Sequence, residues 1–335
     1  MRPTFHPRLI NGPFDDPGLL VPFTFARRSL LFDLGDLAAL SSGDLLKVSH
    51  IFVTHTHMDH FIGFDQLLRT FLGRSKDLHL FGPPGILANV AGKLKGYTWN
   101  LVQNYDEFLR LSVTEIRGGR AVTRRFHCRD GFTPSPRRTR TLKDAVIHRE
   151  SAFKVSAAVL DHQIPCLGFS IEEQFHVNIL KPQLAALQLA VGPWIAEFKR
   201  LLFEKADPRQ AFEIPATKSN PAARRFRLGD LAARITRITP GQKVGYIADA
   251  AWTPENEHRI VELVAGADQL FIEAAFLEGE KDVAARKSHL TARQAGALAR
   301  RAQVKQMTIF HFSPRYAGQE HLLEAEARRA FEGQG

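Results

Sequence analysis

Apolar and polar residues alternate along the chain in short blocks that read as the strands and helices of an α/β protein. Residues 29–33 form a short apolar run ended by a carboxylate. Residues 51–54 are apolar or β-branched throughout, the pattern of a buried strand. Phe61, Phe64, Leu67, Leu68 and Phe71 then recur at helical spacing. Residues 78–82 read as the next strand, and Pro83-Pro84-Gly85 opens a helix through Lys95, since proline is tolerated in a first turn. Further strands are predicted at 153–161, 165–171, 244–248, 270–274 and 307–310. Thr253 with Pro254 starts one helix, and Thr291 with Gln294 forms a capping box at another. Strands that each deliver a polar residue at one end, alternating with helices, predict a layered α/β sandwich with its site at one sheet edge.

Two stretches depart from this rhythm. Residues 117–143 carry nine arginines and lysines, from Arg117 to Lys143, against Asp130 and Asp144. Such a run is either a solvated hairpin or loop, or a surface for phosphate groups. Residues 181–237 contain two helix-like segments, 182–190 and 194–204, broken at Gly192-Pro193. Pro208, Pro215 and Pro221 follow, and then basic Arg224, Arg225, Arg227, Arg234 and Arg237. The predicted organisation is a core of residues 1–180 and 238–335, with 181–237 inserted as a helical arm.

Composition narrows the class. The chain has 335 residues, 44% of them hydrophobic, and no apolar run reaches the length of a membrane span. The N-terminal residues lack the apolar stretch of a signal peptide. Two cysteines give no disulfide framework and point to a reduced, cytoplasmic setting. The net charge of +10 favours a polyanionic partner.

The chemistry is concentrated behind the strand at 51–54, where His55, His57, Asp59 and His60 follow one another within six residues. Successive strand side chains alternate faces, so His55 and His57 can point the same way, with Asp59 and His60 in the turn beyond. Imidazoles with a carboxylate suit zinc or a similar divalent ion.

This His-x-His-x-Asp-His stretch, preceded by Phe32-Asp33-Leu34-Gly35, resembles the signature of the metallo-β-lactamase superfamily, which implies an αββα sandwich. The resemblance implies that His55, His57 and His162 hold one ion, Asp59, His60 and His311 a second, and that Asp249 bridges them. Two such ions, roughly 3.5–4 Å apart, activate water and clamp a phosphodiester. Glu273-Ala274-Ala275-Phe276, His289-Leu290-Thr291 and His311-Phe312-Ser313-Pro314-Arg315-Tyr316 resemble three successive motifs of the ribonuclease Z family, and the Gly192-Pro193 helix pair resembles its tRNA-binding arm. Three features differ. Asp249 lies in Ala-Asp-Ala instead of Gly-Asp-Thr, Glu273 follows isoleucine instead of histidine, and no glycine-rich N-terminal strand is recognisable.

The implied activity is a two-metal phosphodiesterase that removes the 3′ trailer from precursor tRNA. Zinc is the first choice of metal, with manganese, iron or magnesium as alternatives. In this reading Asp59 orients the attacking water or takes its proton. His289 protonates the leaving oxygen with Glu273 orienting it, Ser313 and Arg315 contact phosphate, and Arg224, Arg225 and Arg227 grip RNA. The resemblance further implies a homodimer. One alternative is a phosphodiesterase of the same superfamily acting on small or cyclic substrates. Another is a non-catalytic nucleic-acid-binding protein with a structural metal site.

Overall fold

The computed structural model describes residues 4–24, 26–216 and 222–334, so Pro221 lies outside the described residues. Eight strands make one sheet in chain order: β1 (Arg8–Leu9), β2 (Leu19–Pro22), β3 (Ser29–Phe32), β4 (Val48–Phe52), β5 (Lys76–Gly82), β6 (Leu109–Arg117), β7 (Arg120–His127) and β8 (Arg138–Thr141). Strands β3 to β6 pair in parallel, so their C-terminal ends share one edge. The remaining strands are β9 (Val146–Arg149), β10 (Phe153–Asp161), β11 (Pro165–Glu173), β12 (His176–Ile179), β13 (Ala211–Ile214), β14 (Arg224–Arg227), β15 (Thr236–Thr239), β16 (Lys243–Ile247), β17 (Gln269–Glu273) and β18 (Met307–Phe310). A six-stranded sheet runs β18-β17-β16-β11-β10-β9, while β12–β15 and β13–β14 are separate pairs.

The chain divides into two compact units. The larger comprises Phe5–Ile147, Val155–Ile171 and Lys243–Gly335; the smaller is built mainly from His148–Lys154 and Glu172–Gln242. In the larger unit the inner faces of the two sheets meet through aromatic rings. Phe32 lies 5.0 Å from Phe52, 5.7 Å from Phe169 and 5.8 Å from Tyr246 between ring centroids. On the outer face of the first sheet, Ile51, Val53, Leu80 and Leu111 pack against Phe64, Leu67 and Phe71 of helix Phe64–Phe71 and Val90 of helix Ile86–Lys95. The second sheet is covered likewise. Ile247, Leu270 and Ile272 pack against helices Pro254–Val264, Ala292–Arg301 and Glu320–Glu332. Four layers result, helix on sheet on sheet on helix, the αββα arrangement the sequence predicts.

The capping box at Thr291 and Gln294 is formed, and Thr253 caps the helix begun by Pro254. The arginine-rich stretch is a hairpin, β6 and β7 joined by Gly118-Gly119, with β8 added at the edge. In the smaller unit helices Lys181–Ala186 and Trp194–Phe203 are accompanied by the β13–β14 hairpin and helix Leu228–Ile235. The β13–β14 hairpin escapes the sequence because its strands are only four residues long, too short for a clear period-two signal.

Behind β4 the chain turns sharply and stays close to β3. Leu34 N donates to His60 O (2.9 Å) and Gly63 N to Leu34 O (2.9 Å). A Cβ on Gly63 would stand 2.3 Å from Gly35 O and 2.7 Å from Leu37 Cγ. This contact locks the loop after β3 to the loop after β4. Gly63→Ala is therefore expected to destabilise the fold by about 1–3 kcal/mol, the usual range for overpacking. Thermal unfolding would measure it, and an unchanged Tm would show that the two loops are not locked here.

Candidate metal centre

The sharp turn after β4 delivers the histidine cluster. His55 and His60 are fully buried, His57 precedes helix Met58–Phe61, and Asp59 and His60 lie on its first turn. Three other strands of the larger unit supply the rest: His162 follows β10, Asp249 follows β16, and His311 follows β18 with φ at +61°. Ligand-type atoms of His55, His57, His162 and Asp249 lie within 4.8 Å of one another, as do those of Asp59, His60 and His311. Asp249, Glu273, His289 and His311 form a third such group. Asp249 sits at the middle. Its Oδ2 is 3.7 Å from His55 Nε2 and 3.4 Å from His162 Nε2, and its Oδ1 is 3.5 Å from His60 Nε2 and 3.3 Å from His311 Nδ1.

Three of the imidazoles are oriented from behind. His55 Nδ1 lies 3.1 Å from Thr54 Oγ1, His60 Nδ1 3.0 Å from Asp33 Oδ2, and His162 Nδ1 2.8 Å from Ser288 O. A carbonyl or carboxylate behind Nδ1 requires the proton there, leaving the Nε2 lone pair of His60 and His162 to face the centre. His55 Nε2 and His57 Nδ1 face each other at 3.0 Å. His60 Nε2, His311 Nδ1 and Asp249 Oδ1 are buried without a hydrogen-bond partner. Buried polar atoms are normally satisfied, and these three converge on neighbouring points in space. Cations would satisfy all of them at once, so this donor set fits divalent metal ions of the zinc type.

The comparisons agree with that geometry. Residues 209–312 match the family model described as "Beta-lactamase superfamily domain". The chain is 32% identical over 290 residues to a ribonuclease Z of Deinococcus radiodurans, covering 86% of this chain and 83% of that protein. The chain belongs to the ribonuclease Z family. It is a metal-dependent hydrolase of the metallo-β-lactamase superfamily. A ribonuclease Z of Methanothermobacter thermautotrophicus is 28% identical, with 90% and 82% of the two chains covered. Two solved structures share the fold. The Bacillus subtilis metallo-β-lactamase-fold protein YhfI has TM-score 0.54 and 14% identity, over 98% of this chain and 94% of that one. Human tRNase Z, short form, has TM-score 0.51 and 17% identity, over 93% of each.

Beside the centre, His289 and Glu273 form a connected pair. His289 Nδ1 lies 2.8 Å from Glu273 Oε2 and 3.9 Å from Asp249 Oδ2. Glu273, fully buried, is fixed in turn by Ala250 N (2.7 Å) and Leu290 N (3.3 Å), which donate to its Oε1. A cavity of about 250 Å³ opens onto His289, His311, Asp59 and Ser313, with Phe14, Asp15, Asp16 and Lys287 at its rim. Arg315 is engaged by Glu280 and stacks over Phe276 at 5.2 Å. Arg224, Arg225 and Arg227 belong to β14 of the smaller unit. Arg224 donates to Leu187 O, Arg225 stands 3.4 Å from Glu213, and Arg227 is exposed.

Charge in the metal-free cluster is set by burial against neighbours. Burial, helped by His60, holds the His55 pKa at about 2. Burial also opposes charge on His60, but Asp249 and Asp33 on its two sides raise its pKa well above the ordinary value. For Asp59 burial is outweighed by a hydrogen bond from His311 and by the charge of His60, so its pKa falls to about 2. His289 resists burial through Glu273 and Asp249, and its pKa rises to about 9. Protons thus occupy part of the place that metal ions would take, and metal binding must displace them.

One functional residue was not legible as such from the sequence. Asp33, which ends β3, is fully buried with φ at +58°. It accepts hydrogen bonds from Thr54 N (2.7 Å), Thr54 Oγ1 (2.9 Å) and Tyr246 OH (3.0 Å) while holding His60 Nδ1. Its place in Phe32-Asp33-Leu34-Gly35 marks the turn, but its four contacts come from Thr54 and His60 behind β4 and from distant Tyr246 on β16. Asparagine tolerates the same positive φ, yet its amide would present a donor, not an acceptor, to His60 or to Tyr246. Asp33→Asn is expected to weaken metal binding by about 10–100-fold, the usual cost of losing such a backing partner. A competitive chelator titration measures it, and undiminished affinity would show that Asp33 serves folding alone.

Proposed function

We propose that this chain cleaves precursor tRNA endonucleolytically and removes the 3′ trailer. The reading is carried by one observation: His289, oriented by buried Glu273, stands 3.9 Å from Asp249 at the centre of the donor cluster. An RNA 3′-hydroxyl is a poor leaving group, and a positioned imidazolium beside the reacting phosphate supplies the proton it needs. The ribonuclease Z relatives support the choice of substrate.

His55, His57 and His162 would hold one ion, Asp59, His60 and His311 the other, and Asp249 would lie between them. When bound, such a pair supplies Lewis-acid stabilisation of phosphate charge and makes water acidic enough to attack near neutral pH. The chain's own groups do the rest. Asp59, partly exposed at the cavity, orients the attacking water or takes its proton. His289 keeps its Nδ1 proton on Glu273 and presents Nε2 to the leaving oxygen. Ser313 offers its hydroxyl to a phosphate oxygen at the same cavity. Arg315 reaches phosphate only by leaving Glu280.

The smaller unit grips RNA through Arg225 and Arg227, with Arg224 bracing the hairpin on Leu187. Zinc suits the nitrogen-rich donor set; manganese, iron and magnesium are the other choices. A cytoplasmic setting fits two buried free cysteines, Cys128 and Cys166, and no described helix is long and apolar enough to cross a membrane. A homodimer is proposed on family resemblance.

The test compares precursor tRNA with a small chromogenic phosphodiester. The intact enzyme is expected to cleave tRNA at its 3′ side. His289→Ala should lower that turnover by ~10²–10⁴ at unchanged metal content. The loss should shrink with a nitrophenolate leaving group, which needs no proton. Equal losses on both substrates would remove His289 as the acid. Activity on the small diester with none on tRNA would point to a small or cyclic phosphodiester instead.

A further inference from the structure

The arginine-rich hairpin is not used by this mechanism, yet the sheet register brings it to the edge that carries the metal centre. One row of paired residues runs Phe52–Phe81–Thr114–Thr123–Arg138 across β4 to β8. Three positions beyond that row β4 leads to His55 and β6 reaches Arg117. On β7 the same level is Arg120, paired with Arg117 and with Thr141 of β8. Neighbouring strands are ~4.8 Å apart, so β6 and β7 stand roughly 10 and 14 Å from β4 along this edge.

The turn that presents these residues is well defined. Gly118 and Gly119 have φ at +51° and +73°, the signature of a two-residue turn that matches the strand twist. Leu142 N donates to Gly119 O (2.8 Å), which sets Lys143 beside the turn. Arg117 is half neutralised by Glu115 at 3.0 Å. Arg120 and Lys143 are exposed, and among the described residues no carboxylate forms an ion pair with either. On the loop that carries the histidine cluster, Thr56 Oγ1 accepts from Asn89 Nδ2 (2.6 Å), a neutral contact. The cavity at the centre has a mixed rim instead, with Asp15 and Asp16 from the segment before β2 and Lys287 beside them.

We infer that Arg120 and Lys143 bind the phosphate backbone of RNA flanking the cleaved bond. Asp15 and Asp16 repel phosphate where they line the cavity, and these two cations draw it along the β6–β8 edge. The inference rests on the tRNA reading and gives that substrate a path across the β6–β8 edge.

The test uses metal-replete, full-length enzyme and an Arg120→Ala/Lys143→Ala variant. Precursor-tRNA binding is titrated with salt, and turnover of the chromogenic phosphodiester is measured in parallel. Each phosphate contact to a single strand contributes ~0.7 to the slope of log K against log salt, so the double variant should be shallower by about 1.4. Its turnover of the small diester should match wild type, because neither residue touches the centre. An unchanged slope overturns the inference, as does a shift in oligomeric state at constant slope, which would make this edge a contact between copies. Wild-type protein that turns over the small diester but binds no precursor tRNA would instead overturn the substrate reading itself.

Discussion

Imidazole nitrogens and carboxylate oxygens packed against one another, out of water, cannot all be satisfied by the protein that holds them. His55 Nε2 faces His57 Nδ1 at 3.0 Å, and one of the two must find a proton or a cation. His60 Nε2, His311 Nδ1 and Asp249 Oδ1 are left without partners beside them. Burying such groups unpaired costs roughly 1–3 kcal/mol each, more for a charged one. The rest of the site follows from that constraint: His55, His60 and His162 face inward because Thr54, Asp33 and the Ser288 carbonyl hold their backs, and those three residues are themselves buried.

Asp33 is where this constraint meets the fold. Its carboxylate joins β3 to the turn behind β4 through Thr54, to the opposite sheet through Tyr246, and to the centre through His60. The same two loops are fastened by backbone hydrogen bonds from Leu34 and Gly63 and by the close approach of Gly63 to Gly35. A parallel sheet brings strand ends to one edge without effort. Fixing their side chains to within a few tenths of an ångström takes these further contacts.

Much of this was legible in the order of residues. The cluster at His55, His57, Asp59 and His60 is local, so spacing alone reveals it, and the helix starts at Thr253 and Thr291 are written in their caps. His162, Asp249 and His311 each follow a strand far along the chain. Only resemblance to a family connects them to the cluster before the fold is seen. The network around Asp33 was hidden for a related reason: Tyr246 reads as one more core aromatic, and its hydroxyl matters only because β16 faces β3. Nor could sequence place the arginine hairpin, since charge shows that residues are solvated but not which sheet edge they reach. The short strands at Ala211–Ile214 and Arg224–Arg227 were missed because four residues carry little periodic signal.

The central claim is that the two groups of donors sharing Asp249 are built for a pair of divalent ions. Elemental analysis of the purified chain, as isolated and after reconstitution with zinc or manganese, tests it most directly. The donor set predicts about two ions per chain, falling toward one or none in Asp249→Ala with the fold retained. No more than a trace of metal after reconstitution would contradict the account.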